Sequence, residues 1–150
     1  MLRTESELPK NSIVFETAAE AAEYLESTAG NILLTTGAKE LPAFKNLDIK
    51  RIFPRVLPTL DGIRACEALD IPHRNIIAMQ GPFSFALNQA MMEQFHIRWL
   101  VTKDGGAAGG FDEKAAAASA AGAQLVVIRR PPEQGETASE VLKRCKEMIR

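Results

Sequence analysis

Contiguous apolar runs, spaced by stretches too long for hairpins, leave this chain few architectures. Ile32, Leu33 and Leu34 adjoin one another, as do Ile76, Ile77, Ala78 and Met79, and again Leu125 to Ile128. A strand buried on both faces reads as such an unbroken run, whereas a half-solvated strand alternates. Between the runs lie segments of helical period: Ile63, Cys66 and Leu69 share one face, and Leu87, Met91 and Phe95 recur every four residues. Strands alternating with helix-length crossovers predict an α/β domain, with a mostly parallel sheet of about five strands and helices on both faces.

Local signals place the boundaries. Strands are expected at 31–35, 50–53, 75–79, 98–102 and 124–128, with a short one at 13–15. Thr17 with Glu20 forms a capping box that opens a helix through Leu25, and Gly30 closes it. Further helices are expected at 38–44, 60–69, after Ser84, and at 113–121, the last capped by Asp112 and stopped by Gly122. A second capping box, Thr137 with Glu140, opens a final helix with Val141, Leu142, Cys145, Met148 and Ile149 on its apolar side. Pro54 and Pro58 flank Arg55 and leave little room there for a regular element. Residues 1–12 read as a tail or linker, and 13–150 as one domain.

Composition removes several function classes. A formal net charge of -1 gives no electrostatic case for nucleic acid or an anionic membrane surface. Cys66, Cys145, His73 and His96 are scattered, so no metal constellation can be read. No apolar run approaches the roughly 20 residues of a membrane span, and the polar N-terminus is unlike a signal peptide. The expectation is a cytoplasmic domain with no membrane or nucleic-acid partner.

In a parallel sheet, ligands bind outside the carboxyl ends of the strands. Those ends hold Thr35, Thr36, Gly37 and Lys39, then Arg55, then Gln80, Gly81, Phe83 and Ser84. The later strands add Thr102, Lys103 and Asp104, followed by Gly105, Gly106, Gly109 and Gly110, and finally Arg129 and Arg130. Cations and exposed backbone N–H groups on one edge suit phosphates or carboxylates. Plainer readings stand beside these. Ser84 and Asn88 can simply cap a helix, and Lys114 can be an ordinary exposed helix lysine. The Gly-rich stretch fits neither the phosphate loop, since Phe111 follows Gly110 where Lys is required, nor G-x-G-x-x-G.

Several of these blocks resemble the precorrin-6A reductase family. Gly81-Pro82-Phe83-Ser84 with Leu87, Asn88, Ala90 and Met91 is similar to its G-P-F-S-x-x-L-N-x-A-M block. Leu100 to Asp104 with Gly106, Gly109, Gly110, Phe111, Glu113 and Lys114 resembles its L-V-T-K-D-S-G-x-x-G-G-x-x-E-K block. Thr35, Thr36, Gly37 and Lys39 match T-T-G-x-K, Arg55 to Pro58 match R-V-L-P, and Ile128 to Pro131 resemble the R-P end of the last strand. The resemblance runs from Ile13 to the C-terminus.

It implies a Rossmann-like (flavodoxin-like) three-layer domain in an NADPH-dependent oxidoreductase of cobalamin biosynthesis. The family transfers a hydride to precorrin-6A, or cobalt-precorrin-6A, in a cleft between two such halves. The family's opening G-G-T-x-E/D block has no match in residues 1–36, so the chain resembles the C-terminal half, with an N-terminal half as partner. Gly105 stands where the family usually has Ser. Under the resemblance, Lys39, Arg55, Lys103 and Arg130 are expected to clamp carboxylates of the tetrapyrrole. Thr36, Gly37, Gly81, Pro82, Phe83, Ser84, Thr102, Gly109 and Gly110 are expected to hold NADPH. Lys103 and Asp104 are the catalytic candidates, and no metal is expected. The alternative is a catalytically inactive nucleotide- or tetrapyrrole-binding module that needs a separate N-terminal half.

Overall fold

A computed structural model describes residues 12–103 and 111–129. The chain runs β1 (Ile13–Phe15), α1 (Ala18–Glu26), β2 (Asn31–Leu34), a 3-10 segment (Ala38–Phe44), a second 3-10 turn (Ile49–Arg51) and β3 (Ile52–Val56). Then follow α2 (Leu60–Glu67), a third 3-10 turn (His73–Asn75), β4 (Ile77–Ala78), α3 (Phe85–Gln94), β5 (Ile97–Lys103), α4 (Phe111–Ala121) and β6 (Gln124–Ile128). The sheet has six strands where about five are expected, ordered β1-β6-β5-β2-β3-β4. Every pairing is parallel.

The unbroken apolar runs are buried on both faces, as their composition requires. Leu34, Val101 and Val126 face one core with Leu25 of α1, Phe44 and Cys66 of α2. Leu33, Leu100 and Val127 face the other, against Met91 and Met92 of α3 and Ala117 and Ala118 of α4. Each fully buried Leu or Ile contributes roughly 1.5–3 kcal/mol over its exposed state. The Thr17 cap holds, with Thr17 Oγ1 accepting from Glu20 N–H, while Glu20 Oε1 accepts from the N–H of Glu16, one residue before the cap.

Three expectations are corrected. The third strand extends through Pro54 and Arg55 instead of stopping at Phe53. Pro54 falls where pairing with β2 ends at Leu34 and pairing with β4 begins at Arg55, so its missing N–H is tolerated. The strand expected at 75–79 shrinks to Ile77–Ala78. Asn75 lies in a 3-10 turn, and its Nδ2 donates to the Lys50 and Ile52 carbonyls, tying that turn to the start of β3. α4 begins at Phe111, one residue before its expected cap Asp112. The tail before Ser12, the glycines from Gly105 to Gly110, and the final helix after Thr137 lie outside the described residues.

Candidate functional site

From β2 the chain winds outward to β3 and β4, then crosses back to β5 and winds the other way to β6. The carboxyl ends of β2 and β5 therefore flank the reversal, where open parallel sheets hold their ligands. A cavity of about 1000 Å³ opens on this edge, lined by Thr35 and Gly37 after β2, Arg55 and Leu57 of the β3 end, and Met79, Gly81, Pro82 and Phe83 after β4. Thr59, Asn88 of α3 and Lys114 of α4 add to its polar lining, and Asp61 and Glu113, both exposed, also border it.

Arg55 is only 8% exposed, an unusual state for an arginine. It sits inside because β3 is buried along its whole length and Arg55 points toward α3. Its Nη1 donates to Asn88 Oδ1 at 2.7 Å and lies 3.8 Å from the Met91 sulfur. The guanidinium carbon stacks 3.8 Å from the centre of the Phe83 ring. Asn88 is held in turn, its Nδ2 donating to the Ser84 and Phe83 carbonyls at 3.0 and 3.4 Å. Burial pushes the guanidinium down to about 10, which leaves it charged at neutral pH.

Lys114 spans the reversal itself. Its Nζ donates to Thr102 Oγ1 of β5 at 2.8 Å and to Thr35 Oγ1, just past β2, at 3.4 Å. Both hydroxyls donate elsewhere, Thr35 to the Val101 carbonyl and Thr102 to the Lys103 carbonyl, so each turns a lone pair to the ammonium. Burial, and then the nearby Arg55 charge, lower the Lys114 amine to about 8. Among the described residues no carboxylate pairs with Arg55 or Lys114. The cavity thus carries two cations held by neutral acceptors.

The expected residues divide clearly. Arg55, Gly37, Gly81, Pro82 and Phe83 line the cavity. Thr102 is wholly buried and reaches it only through Lys114. Thr36 is buried with a hydroxyl that has no hydrogen-bond partner among the described residues, while its neighbour Thr35 lines the cavity. Ser84 caps α3, its Oγ accepting from Leu87 N–H at 3.1 Å. Lys103 pairs with Glu40 at 3.0 Å, and Lys39 is exposed; neither borders the cavity. Asp104, Gly109, Gly110 and Arg130 lie outside the described residues. The structure adds Lys114 and Asn88, whose plainer readings were an exposed lysine and a helix cap.

The model of the family described as "Precorrin-6x reductase CbiJ/CobK" matches residues 1–146. The chain belongs to the precorrin-6x reductase family. The cobalt-precorrin-6A reductase of Priestia megaterium is 39% identical over 100 residues, covering 64% of this chain and 39% of the relative. That of Methanococcus maripaludis is 38% identical over 104 residues, 67% of this chain and 40% of the relative. The precorrin-6A reductase of Rhodococcus erythropolis is 36% identical over 91 residues, 59% of this chain and 33% of the relative. In fold, the chain is similar to a solved structure titled "CobK precorrin-6A reductase", with a TM-score of 0.72 at 19% identity, covering 97% of this chain and 59% of that one. The precorrin-6x reductase fold is thus present, in a chain that spans about two fifths or less of the length of these curated relatives. No described helix is long and apolar enough to cross a membrane.

Proposed function

We propose that this chain supplies one half of an NADPH-dependent reductase acting on precorrin-6A or cobalt-precorrin-6A in cobalamin biosynthesis, and that an N-terminal half supplies the opposite wall of the cleft. The observation that supports it is the pair of cations, Arg55 and Lys114, that no carboxylate pairs with in the cavity at the sheet reversal, in a chain of this family. A tetrapyrrole precursor is an apolar ring edged with carboxylates, and NADPH carries phosphates. Both fit a cavity of about 1000 Å³ whose cations lack internal counter-ions and whose rim includes exposed Leu57 and Met79.

NADPH would supply the hydride when bound, and the chain's own residues bind and orient. Arg55 fixes an oxyanion through its planar fork. Lys114 sets the charge of the inner wall, and Phe83 with Met79 borders the apolar part of the ligand. Lys103, paired with Glu40, is a weaker catalytic candidate than its position at the end of β5 implies.

The short span relative to the named reductases favours a second reading, a half that binds without turnover until joined. NADPH oxidation is measured with the chain alone and with an N-terminal half added in trans. Turnover that needs the added half, and that falls at least tenfold in Arg55→Ala, supports the proposal. No turnover in either case counts against it.

A further inference from the structure

The arrangement around the buried Arg55 and the half-buried Lys114 is selective in one respect: every group that holds them is uncharged. Arg55 is held by the Asn88 amide oxygen and the Phe83 ring, and Lys114 by two threonine hydroxyls. A protein stabilising buried charge for its own sake would place a carboxylate beside it, because an uncompensated buried ion is costly. Asp61 and Glu113 border the same cavity yet pair with neither cation. The charge is kept open.

Hydrogen-bonding capacity is kept open as well. Guanidinium presents five N–H donors, and Asn88 and the Met91 sulfur take those on Nη1. The Nε and Nη2 donors have no partner among the described residues, and Arg55 lines the cavity. Those two donors form the parallel pair that matches the two oxygens of a carboxylate or phosphate. Lys114 uses two of its three N–H groups on threonines and keeps one. Both side chains line the same cavity, and Lys114 reaches Thr35, which follows Leu34 where Arg55 follows its partner Pro54 on the adjacent strand, so one group can meet both.

From this we propose that Arg55 and Lys114 form a seat for a single oxyanion of the ligand, and that Asn88 is the positioning residue that holds the Arg55 fork open without neutralising it. The shared chemistry is a carboxylate of the tetrapyrrole or a phosphate of the dinucleotide, and the seat deepens the reductase reading on which it rests.

The test is calorimetric titration of the chain at pH 7 with two probes, NADPH and the polycarboxylated ring uroporphyrin. Asn88→Asp keeps shape and the acceptor toward Arg55 but adds an internal counter-ion. It is expected to weaken the bound probe at least tenfold in a chain that still unfolds cooperatively above the titration temperature, although the new oxygen loses the two bonds that Nδ2 donates to the Ser84 and Phe83 carbonyls. Lys114→Met is expected to weaken it by a similar factor, and Arg55→Lys, which keeps charge but loses the fork, by several-fold or more. Loss of uroporphyrin binding alone assigns the seat to carboxylate, and loss of NADPH binding alone assigns it to phosphate. Unchanged affinity in Asn88→Asp and Lys114→Met overturns the seat while leaving the reductase reading intact. A wild-type chain that binds neither probe at millimolar concentration also overturns it. NADPH oxidation with the N-terminal half present judges the reductase reading separately.

Discussion

Replacing Lys114 with Met should make the protein more stable at neutral pH. The amine sits at about 8 against an ordinary 10.5, lowered first by burial and then by Arg55. At roughly 1.4 kcal/mol per tenfold change, holding it charged at pH 7 disfavours the folded state by roughly 3 kcal/mol. Methionine fills similar space without charge, but it forgoes the two hydrogen bonds to Thr102 and Thr35. A bond from a charged donor is worth about 1.5–3 kcal/mol at good geometry, and with one bond at 2.8 Å and the other stretched to 3.4 Å the pair offsets about 2 kcal/mol. The net gain is about 1 kcal/mol, or roughly 3 °C in midpoint for a chain of this size.

The pH dependence supplies the sharper check. Below pH 8 the amine is charged in both folded and unfolded chains, and the full penalty is present. As pH rises from about 8 toward 10.5 the folded form releases its proton while the unfolded form still binds it, so wild-type stability rises through that window. Urea midpoints of wild type and Lys114→Met should therefore converge and then cross, their difference changing by roughly 2 kcal/mol between pH 7 and pH 9.5. A variant less stable than wild type at pH 7, or a difference flat with pH, would refute the reasoning.

Gly37→Ala should lower stability by about 1–3 kcal/mol in urea titration, because Gly37 has φ 94 and ψ 166, a conformation nearly confined to glycine. The cost there is backbone strain, since nothing lies within 4 Å of an added Cβ. Ser84→Ala should cost about 1 kcal/mol through the lost cap on α3, seen as a lower thermal midpoint. A much larger loss would mean that Ser84 does more than cap.

The layer order and both faces of the sheet were legible because buried parallel strands write themselves as unbroken apolar runs, such as Ile32 to Leu34 and Leu125 to Ile128. The region around Arg55 was not, because two prolines normally exclude a strand, and only the exchange of pairing partners at Pro54 permits one. Residue types at strand ends located the edge that carries the cavity, but not which side chains turn inward. Thr35 lines the cavity where Thr36 was expected, a matter of one residue and the opposite face of the sheet.

Lys114 was the larger omission, and the signal for it was present. α4 buries Ala117 and Ala118 against the sheet, three and four residues beyond Lys114, so the lysine belongs to the same stripe. A charged residue on the buried stripe of an alanine helix is seldom an exposed one. The alanines matter to the site for the same reason. Their small side chains let α4 lie close to the ends of β2 and β5, and that approach brings Lys114 within reach of both Thr35 and Thr102. A bulkier face would hold the helix off and leave the ammonium in solvent. Ala117→Leu is accordingly expected to weaken ligand binding without touching a cation, as well as to destabilise the overpacked core by about 1–3 kcal/mol. Calorimetry with NADPH and uroporphyrin beside a urea titration checks both effects, and full ligand affinity in a folded Ala117→Leu would show that the helix approach does not set the site.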